Sequence, residues 1–312
     1  MAISSLKTGA IKFSLLIGNA AFNPIRGVFG GGSNSTPADV TTIDYIAIST
    51  TGNATSFGDL TQARDLLGSC ASATRGIFAG GHTAVVVNTI DYITIDTTGN
   101  ATDFGDLTVS RRGCVGFNSS TRGCFAAGES PASNVIDYIT IASTGNATDF
   151  GDLTVATTVP AACSSPTRGV IAGGEDRATT IDYVTIATTG NATSFGSLSF
   201  ARYGLAGCSS STRGLFGGGY NNIGNAVVNV IDYITMATTG NATDFGDLTV
   251  SRGNLTSCSS STRGLWGGGD TGSRSNVIDY VEIATTGNAT DFGDLTASRA
   301  NPAACSNGNG GL

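Results

Sequence analysis

Acidic residues recur inside apolar segments of this 312-residue chain, where a carboxylate needs a partner. Each follows an isoleucine and precedes a tyrosine, at Asp44, Asp91, Asp137, Asp182, Asp232 and Asp279. Burying an unpaired charge is costly, so ionised side chains inside proteins are usually paired. Arginines recur with the same period, at Arg64, Arg111, Arg202, Arg252 and Arg299. We predict five structural ion pairs, which join these arginines to Asp44, Asp91, Asp137, Asp232 and Asp279, and a catalytic role is the alternative. Thr157 replaces the arginine in one repeat, so Asp182 needs another donor.

The chain has one histidine, His82, and repeated acidic turns, but neither has the spacing of a metal site. A histidine-based site needs further ligands, and calcium loops gather several acids within about a dozen residues. The repeated Asp-Phe-Gly-Asp element carries two acids, and Ser194 and Ser197 replace both in one copy. We predict solvated turn residues, no metal and no cofactor. Six Asn-Ala-Thr sequences match the glycosylation pattern, but their single repeat position favours a turn role.

Five of the seven cysteines occupy one equivalent repeat position, at Cys70, Cys163, Cys208, Cys258 and Cys305. A disulfide requires Cα atoms within about 7 Å and suitably directed Cβ atoms. Equivalent positions in different repeats are poor candidates for such pairing. We predict small buried thiols, which is consistent with folding in a reducing cytosol.

These motifs belong to a unit of 45 to 50 residues that recurs six times. An Arg-Gly step marks the copies at Arg26, Arg75, Arg122, Arg168, Arg213 and Arg263. Fourteen residues separate the isoleucine of Ile-Asp-Tyr from the downstream phenylalanine in every copy, whereas 13 to 18 residues separate Arg-Gly from Ile-Asp-Tyr. All insertions therefore fall at one place in the repeat.

Each repeat contains four short apolar runs divided by turn residues, which is typical of a β-propeller blade. The chain contains 45 glycines and only 12% charged residues, so long helices are disfavoured. We predict an all-β, six-bladed propeller of four-stranded antiparallel blades. The expected blades cover 26–60 plus 299–306, 64–107, 111–153, 157–198, 202–248 and 252–295. The C-terminal run 299–306 supplies the inner strand of the first blade, which leaves no open sheet edge.

The segment Arg-Gly-Leu-Trp-Gly-Gly-Gly at 263–269, followed by Tyr280, Phe292 and Ser298-Arg299, resembles the kelch repeat. The resemblance covers residues 26 to about 306. Near-identical copies rich in Gly, Thr and Asn also resemble kelch-like virion proteins of bacteriophages, especially tail-fibre-type proteins of marine phages. The resemblance implies a virion location, on the tail or capsid surface, after synthesis in the host cytoplasm.

In an antiparallel blade, the loop between strands 2 and 3 lies at the same end as the linker between strand 4 and the next blade. All length variation therefore falls on one face, and function commonly lies on variable loops held by a rigid scaffold. We predict that this face binds a ligand or partner through His82, Arg177, Tyr220, Asn221, Asn222 and Arg274, and neutral drift of surface loops is the alternative.

Residues 1–25 belong to no repeat, and the domain 26–312 follows them. They contain Lys7, Lys12, Phe13, Leu15 and Leu16, and we expect an arm that attaches to another virion protein or to another copy. The predicted protein is non-enzymatic and binds a host surface glycan or protein, or a neighbouring virion protein. A free lectin-like propeller is the alternative, followed by a glycan hydrolase. The net charge of −7 disfavours nucleic-acid binding, and no apolar run is long enough to insert into a membrane.

Overall fold

A computed structural model describes residues 24–35, 38–129, 131–175 and 179–312, and the regular structure there is β-strand throughout. Six four-stranded antiparallel sheets are arranged in a ring, which confirms the predicted propeller. Among the described residues, no helix is long and apolar enough to cross a membrane. The predicted arm residues Lys7, Lys12, Phe13, Leu15 and Leu16 lie outside the described residues.

The blades are numbered along the chain, and each is given from its inner to its outer strand. Blade 1 contains β28 (Ala303–Ser306), β1 (Arg26–Gly30), β4 (Thr42–Ala47) and β5 (Thr55–Asp59). Blade 2 contains β6 (Gly68–Ala71), β7 (Arg75–Ala79), β8 (Thr89–Thr94) and β9 (Thr102–Asp106). Blade 3 contains β10 (Val115–Asn118), β11 (Arg122–Ala126), β12 (Ser133–Thr140) and β13 (Thr148–Thr157).

Blade 4 contains β14 (Ala161–Ser164), β15 (Arg168–Ala172), β16 (Thr180–Thr185) and β17 (Thr193–Ser197). Blade 5 contains β19 (Ala206–Ser209), β20 (Arg213–Gly217), β22 (Val230–Thr235) and β23 (Thr243–Asp247). Blade 6 contains β24 (Thr256–Ser259), β25 (Arg263–Gly267), β26 (Val277–Glu282) and β27 (Thr290–Asp294). Two small ribbons are formed by β2 (Ser33–Ser35) with β3 (Ala38–Asp39), and by β18 (Arg202–Tyr203) with β21 (Tyr220–Asn221).

The ring closes because β28, late in the chain, pairs with β1, early in the chain. The register is antiparallel and runs from Gly27 opposite Ser306 to Gly30 opposite Ala303. Inner strand β28 also contacts the inner strands of both neighbouring blades, β24 and β6. The second strand of blade 1 therefore has an inner partner, as the second strand of every other blade has.

Blades pack through both faces of their strands, as expected when apolar residues alternate with a period of two. In β1, Val28 clusters with Phe78 and Ile93 of blade 2, whereas the adjacent Phe29 clusters with Leu265 of blade 6. Both side chains have no exposed surface. Consecutive core residues thus bury two different interfaces.

The repeated cysteines fill space between blades rather than forming disulfides. All seven are free and buried. A Cβ added at Gly214 of blade 5 would lie 2.7 Å from the Sγ atom of Cys163 in blade 4, and Gly264 of blade 6 approaches Cys208 in the same way. In five blades the glycine of the Arg-Gly step is therefore needed where the preceding blade presents its thiol, and in blade 4 Gly169 makes room for Phe117 instead.

The repeated turns between strands 3 and 4 attach each blade to the one before it. Asn100 of blade 2 accepts a hydrogen bond at its Oδ1 atom from the Asp59 amide of blade 1, at 3.1 Å. The equivalent bond occurs at Asn53, Asn146, Asn191, Asn241 and Asn288. None of these six asparagines has positive φ, so the side-chain bond rather than backbone tolerance explains the residue type.

Arginine and aspartate lie together in five blades. Their Nη2-to-Oδ2 distances are 2.9 Å for Arg64–Asp91, 2.8 Å for Arg111–Asp137, 2.9 Å for Arg202–Asp232, 2.7 Å for Arg252–Asp279 and 3.0 Å for Arg299–Asp44. All ten side chains are at most 2% exposed. Each arginine comes from the linker that enters the blade and also donates to strand carbonyls, as Arg252 does to Val277 and Trp266. The pairs therefore fix the linkers onto the blades.

Blade 4 departs from this pattern because Thr157 stands at the arginine position. Asp182 there accepts hydrogen bonds from the Thr154 hydroxyl, at 2.9 and 2.7 Å, and from the Thr154 amide at 2.9 Å. A cavity of about 250 Å³ lies beside it, lined in part by Leu153, Thr157 and Ile171. Among the described residues, no arginine reaches Asp182. The equivalent hydroxyl donates to the aspartate in the other blades too, as Thr61 does to Asp91, so within the described residues no additional donor takes the place of the arginine.

Candidate functional site

The variable face is the end of the ring that carries the loops between strands 2 and 3 and the linkers between blades. Two positions of the repeat face each other on it. One is the linker residue that follows the arginine (Thr157 in blade 4), and the other is the first loop residue after strand 2 and its terminal glycine. We call these six combinations the rim pairs: Ala300–Ser33, Asp65–His82, Arg112–Glu129, Thr158–Glu175, Tyr203–Tyr220 and Gly253–Asp270. Backbone hydrogen bonds join the members of each, such as the His82 amide with the Asp65 carbonyl at 2.9 Å.

The rim pairs share one backbone geometry but differ in chemistry. Arg112 Nε lies 2.7 Å from Glu129 Oε1, which makes a half-buried ion pair. Tyr203 and Tyr220 stack, with ring centroids 5.2 Å apart. Burial and the negative charge of Asp270 raise the pKa of Tyr220 to about 12, so its hydroxyl is a neutral donor. A single scaffold position therefore presents charged, aromatic and small side chains around the ring.

The Asp65–His82 pair has a third member from blade 1. Asp39, in β3, brings its carboxylate to the same place, and one ligand atom from each side chain lies within 4.8 Å of the other two. Burial raises the pKa of Asp65. Burial and the charge of Asp65 also raise the pKa of Asp39. His82, considered as a lone residue in the sequence, thus lies beside two carboxylates.

The other predicted loop residues lie on the variable face, but most are engaged within their own loops. Arg274 Nη1 lies 2.6 Å from Asp270 Oδ2. Asn221 accepts a hydrogen bond from the Ile223 amide at 2.8 Å, and Asn222 donates to the Gly174 carbonyl at 3.2 Å. Tyr220 and His82 belong to rim pairs. Arg177 lies outside the described residues.

The variable face also carries every exposed large hydrophobic residue of the described chain. Val85 and Ile223 lie at loop tips and are 65% and 88% exposed. Val109, Val155 and Val250 lie where strand 4 leads into the linker and are 42–64% exposed. The opposite face presents the repeated Thr-Thr-Gly-Asn turns. Apolar surface available for contact is therefore confined to one end of the ring.

The central channel opens on the variable face into a cavity of about 100 Å³. A closed cycle of six backbone hydrogen bonds, 2.7–3.1 Å long, surrounds its mouth and joins Leu66, Gly113, Val159, Gly204, Asn254 and Asn301. No described residue that lines the cavity carries a charge. At the other end, Asn309 exchanges two 3.2 Å hydrogen bonds with Asn118, and the buried Gly311 packs against the Asn118 carbonyl. The tail 307–312 thus covers the channel.

Sequence reasoning named His82 and Tyr220 but missed Asp39 and the linker members of the rim pairs, Asp65 among them. The sequence does contain a signal for these positions. In five of the six rim pairs, from Asp65–His82 to Gly253–Asp270 in chain order, the second member lies 17 residues after the first. This constant spacing marks two positions that face each other in every blade. Asp39 lies in an insertion without a repeat equivalent, so no spacing identifies it.

A scan against protein-family models finds none that matches the chain, and a search of curated proteins finds no match either. The structure therefore shows a six-bladed β-propeller, while the kelch-like and phage resemblance has no further support from these comparisons.

Proposed function

We propose that this chain is a non-enzymatic binding protein that holds its partner on the variable face. The observation that carries the proposal is the confinement of exposed large hydrophobic residues, loop-length variation and rim-pair diversity to that face. Propellers commonly serve as rigid binding scaffolds, and variable loops on such scaffolds usually carry recognition. The uncharged lining of the central cavity favours this role over acid–base catalysis in the channel.

The finer proposal is a virion structural or tail-associated protein anchored by residues 1–25. Its partner is a host surface component, a glycan or a protein, or a neighbouring virion protein. The support is the resemblance of the repeats to kelch-like virion proteins. The particle location and synthesis in the host cytoplasm are parts of the same proposal.

The binding face is tested by substitutions on the two ends of the ring. We expect the double variant Val85→Asp and Ile223→Asp to lose at least tenfold in binding to an immobilised glycan array, because burying such a side chain contributes about 1.5–3 kcal/mol. The matched control, Thr98→Asp with Thr239→Asp, alters the exposed turns of the opposite face. Equal loss in both variants, or loss only in the control, would contradict the assignment.

Association with a particle is tested separately. Mass spectrometry of gradient-purified virions should detect the chain together with tail or capsid proteins. A variant that lacks residues 2–22 should keep the β-sheet circular dichroism spectrum and the melting temperature of the full chain but be absent from the particles. Recovery of the full chain only as free protein indicates a lectin-like propeller instead.

A further inference from the structure

We infer that Asp39, Asp65 and His82 form a binding site for one divalent transition-metal ion on the variable face. The three side chains come from separate segments, namely β3 of blade 1, the linker between blades 1 and 2, and the start of the loop after β7. One ligand atom from each lies within 4.8 Å of the other two. The packing of blade 2 beside blade 1 brings them together, although they are up to 43 residues apart in sequence.

The separation of the ligand atoms suits an ion at their centre. His82 Nδ1 and Asp65 Oδ1 are 3.9 Å apart, which is too far for a hydrogen bond between them. Zinc binds imidazole nitrogen and carboxylate oxygen at about 2.0–2.2 Å. Each ligand atom therefore needs to move by about 1 Å or less to reach a shared ion.

Asp65 provides an independent sign of a missing ligand. The residue is 9% exposed, and its buried Oδ1 atom has no hydrogen-bond partner. Its Oδ2 atom accepts a hydrogen bond from Asn301 Nδ2 at 3.2 Å, which fixes the carboxylate so that Oδ1 faces His82. Outer-shell bonds of this kind orient metal-binding carboxylates. A buried carboxylate oxygen without a donor is costly, and a cation removes that cost.

Unlike two other acidic rim residues, this cluster has no arginine within ion-pair distance among the described residues. Glu129 is paired with Arg112 at 2.7 Å, and Asp270 with Arg274 at 2.6 Å. The cluster instead sets the two carboxylates of Asp39 and Asp65 against one imidazole. Two acidic oxygen ligands beside an imidazole nitrogen suit a divalent cation.

The ligand types select the class of ion. Calcium and magnesium prefer oxygen ligands alone, whereas an imidazole with carboxylates suits zinc or manganese. His82 is 32% exposed, so the solvent side is open to water or to an oxygen of a bound partner. The site is thus a three-ligand site with vacant coordination positions.

Isothermal titration calorimetry of the full chain tests the site directly. We expect Zn²⁺ to bind with one-to-one stoichiometry, and Ca²⁺ and Mg²⁺ to bind at least tenfold more weakly. His82→Asn and Asp65→Asn should each weaken Zn²⁺ binding at least tenfold. Glu129→Gln, at the position of blade 3 equivalent to His82, should leave it unchanged. Zinc should also raise the melting temperature of the full chain and of Glu129→Gln, but not of the two site variants.

Two measurements keep the inference falsifiable if a variant folds poorly. Near-ultraviolet circular dichroism without metal checks the fold, and His82→Asn alters a partly exposed side chain. The Co²⁺ complex should show d–d absorption without a thiolate charge-transfer band. A thiolate band, equal binding by all variants, or no binding below about 1 mM Zn²⁺ would overturn the site. The titration contains no partner, so its failure leaves the proposed binding function intact.

Discussion

At the residue scale, the mouth of the channel depends on six residues with left-handed backbone. Their φ values lie between 48° and 64°. Glycine and asparagine tolerate this conformation and occupy four of the positions, whereas Leu66 and Val159 do not favour it. Val159 has a branched Cβ and precedes a proline, which makes it the most strained member. The hydrogen-bond cycle holds it there because its amide and carbonyl both take part.

We predict that Val159→Asn stabilises the protein by about 1 kcal/mol, since it relieves an unfavourable left-handed residue. Asn301 already occupies the equivalent position in the hydrogen-bond cycle, with φ of 55°, and it also precedes a proline, Pro302. The free energy of unfolding in urea is the measurement. Asn254→Val is the reverse control and should cost a similar amount. An unchanged free energy in both variants would show that the cycle does not impose the conformation.

The seven thiols are protected by burial. Burial raises the pKa of Cys124 and of Cys305 to about 12, and it raises the pKa of the other five thiols as well. A neutral thiol reacts slowly with disulfide reagents, because the thiolate is the nucleophile. The folded protein should therefore remain reduced and unmodified.

This burial predicts a loss of stability in alkali. The folded-state pKa exceeds the unfolded value of 9.0, so the stabilisation is complete below pH 9 and is lost as the pH rises towards 12. Each thiol should contribute about 1.4 kcal/mol per pH unit in that window. Urea unfolding between pH 8 and 11 measures the slope. Cys124→Val introduces the residue found at the equivalent positions Val28 and Val170. It should lower the slope of the unfolding free energy against pH by the contribution of one titrating thiol.

At the element scale, each arginine–aspartate pair fixes a linker to the blade that follows it. Replacing one partner of a buried pair typically costs about 3–5 kcal/mol, because the other charge remains buried. Blade 4 keeps the hydroxyl hydrogen bond that the other blades also have, but a cavity of about 250 Å³, lined in part by Thr157, lies beside Asp182. The sixfold pattern is therefore structural, and blade 4 shows the same aspartate without its cation.

Thr157→Arg should place a guanidinium in that cavity and stabilise the protein by about 1–2 kcal/mol, since hydrogen bonds to charged groups contribute more than neutral ones. Thermal and urea unfolding measure the change. Thr157→Leu fills the same space without charge and should give less stabilisation. Arg252→Thr, the reciprocal change in blade 6, should destabilise by about 3 kcal/mol or more, and Asp279→Asn should restore part of the loss. Stabilisation by Thr157→Leu equal to that by Thr157→Arg would contradict the electrostatic explanation.

The elements were predictable from sequence to the extent that they repeat. The fixed distance from Ile90 to Phe104 in blade 2 recurs in every blade, so strand order and closure followed from spacing alone. The cluster at Asp39, Asp65 and His82 was not predictable, because its members are distant in sequence and belong to two blades. The role of Asn100 was also missed, since its bond to the Asp59 amide depends on blade stacking.

At the scale of the whole molecule, the ring depends on the pairing of β28 with β1. Every blade buries one face against each neighbour, so opening the interface with blade 2 exposes Val28 and opening the interface with blade 6 exposes Phe29. Repeat proteins distribute their stability over such interfaces. Closure therefore affects blades 2 and 6 as well as blade 1.

We predict that removal of residues 303–312 destabilises the ring by about 4 kcal/mol or more, because four residues of strand pairing are lost at about 1 kcal/mol each. The exposed edge of β1 should also promote self-association, which sedimentation velocity would detect. Removal of residues 307–312 alone keeps β28 but uncovers the channel and removes the hydrogen bonds of Asn307 to the Arg26 amide and to Asp96, so this variant should keep the sedimentation coefficient of the full chain and lose much less stability. A monomeric, equally stable chain without 303–312 would show that β28 is dispensable.

The pairing of β28 with β1 also determines when the ring can close during translation. Ribosomes deliver β1 first, and its inner partner emerges only after five further blades have been translated. Until then the β1 edge and the apolar flank of blade 1 have nothing to cover them, which is the condition under which nascent chains aggregate or need a chaperone. β28 follows every other strand of the ring in the chain, and its pairing with β1 converts a stack of blades into a closed ring.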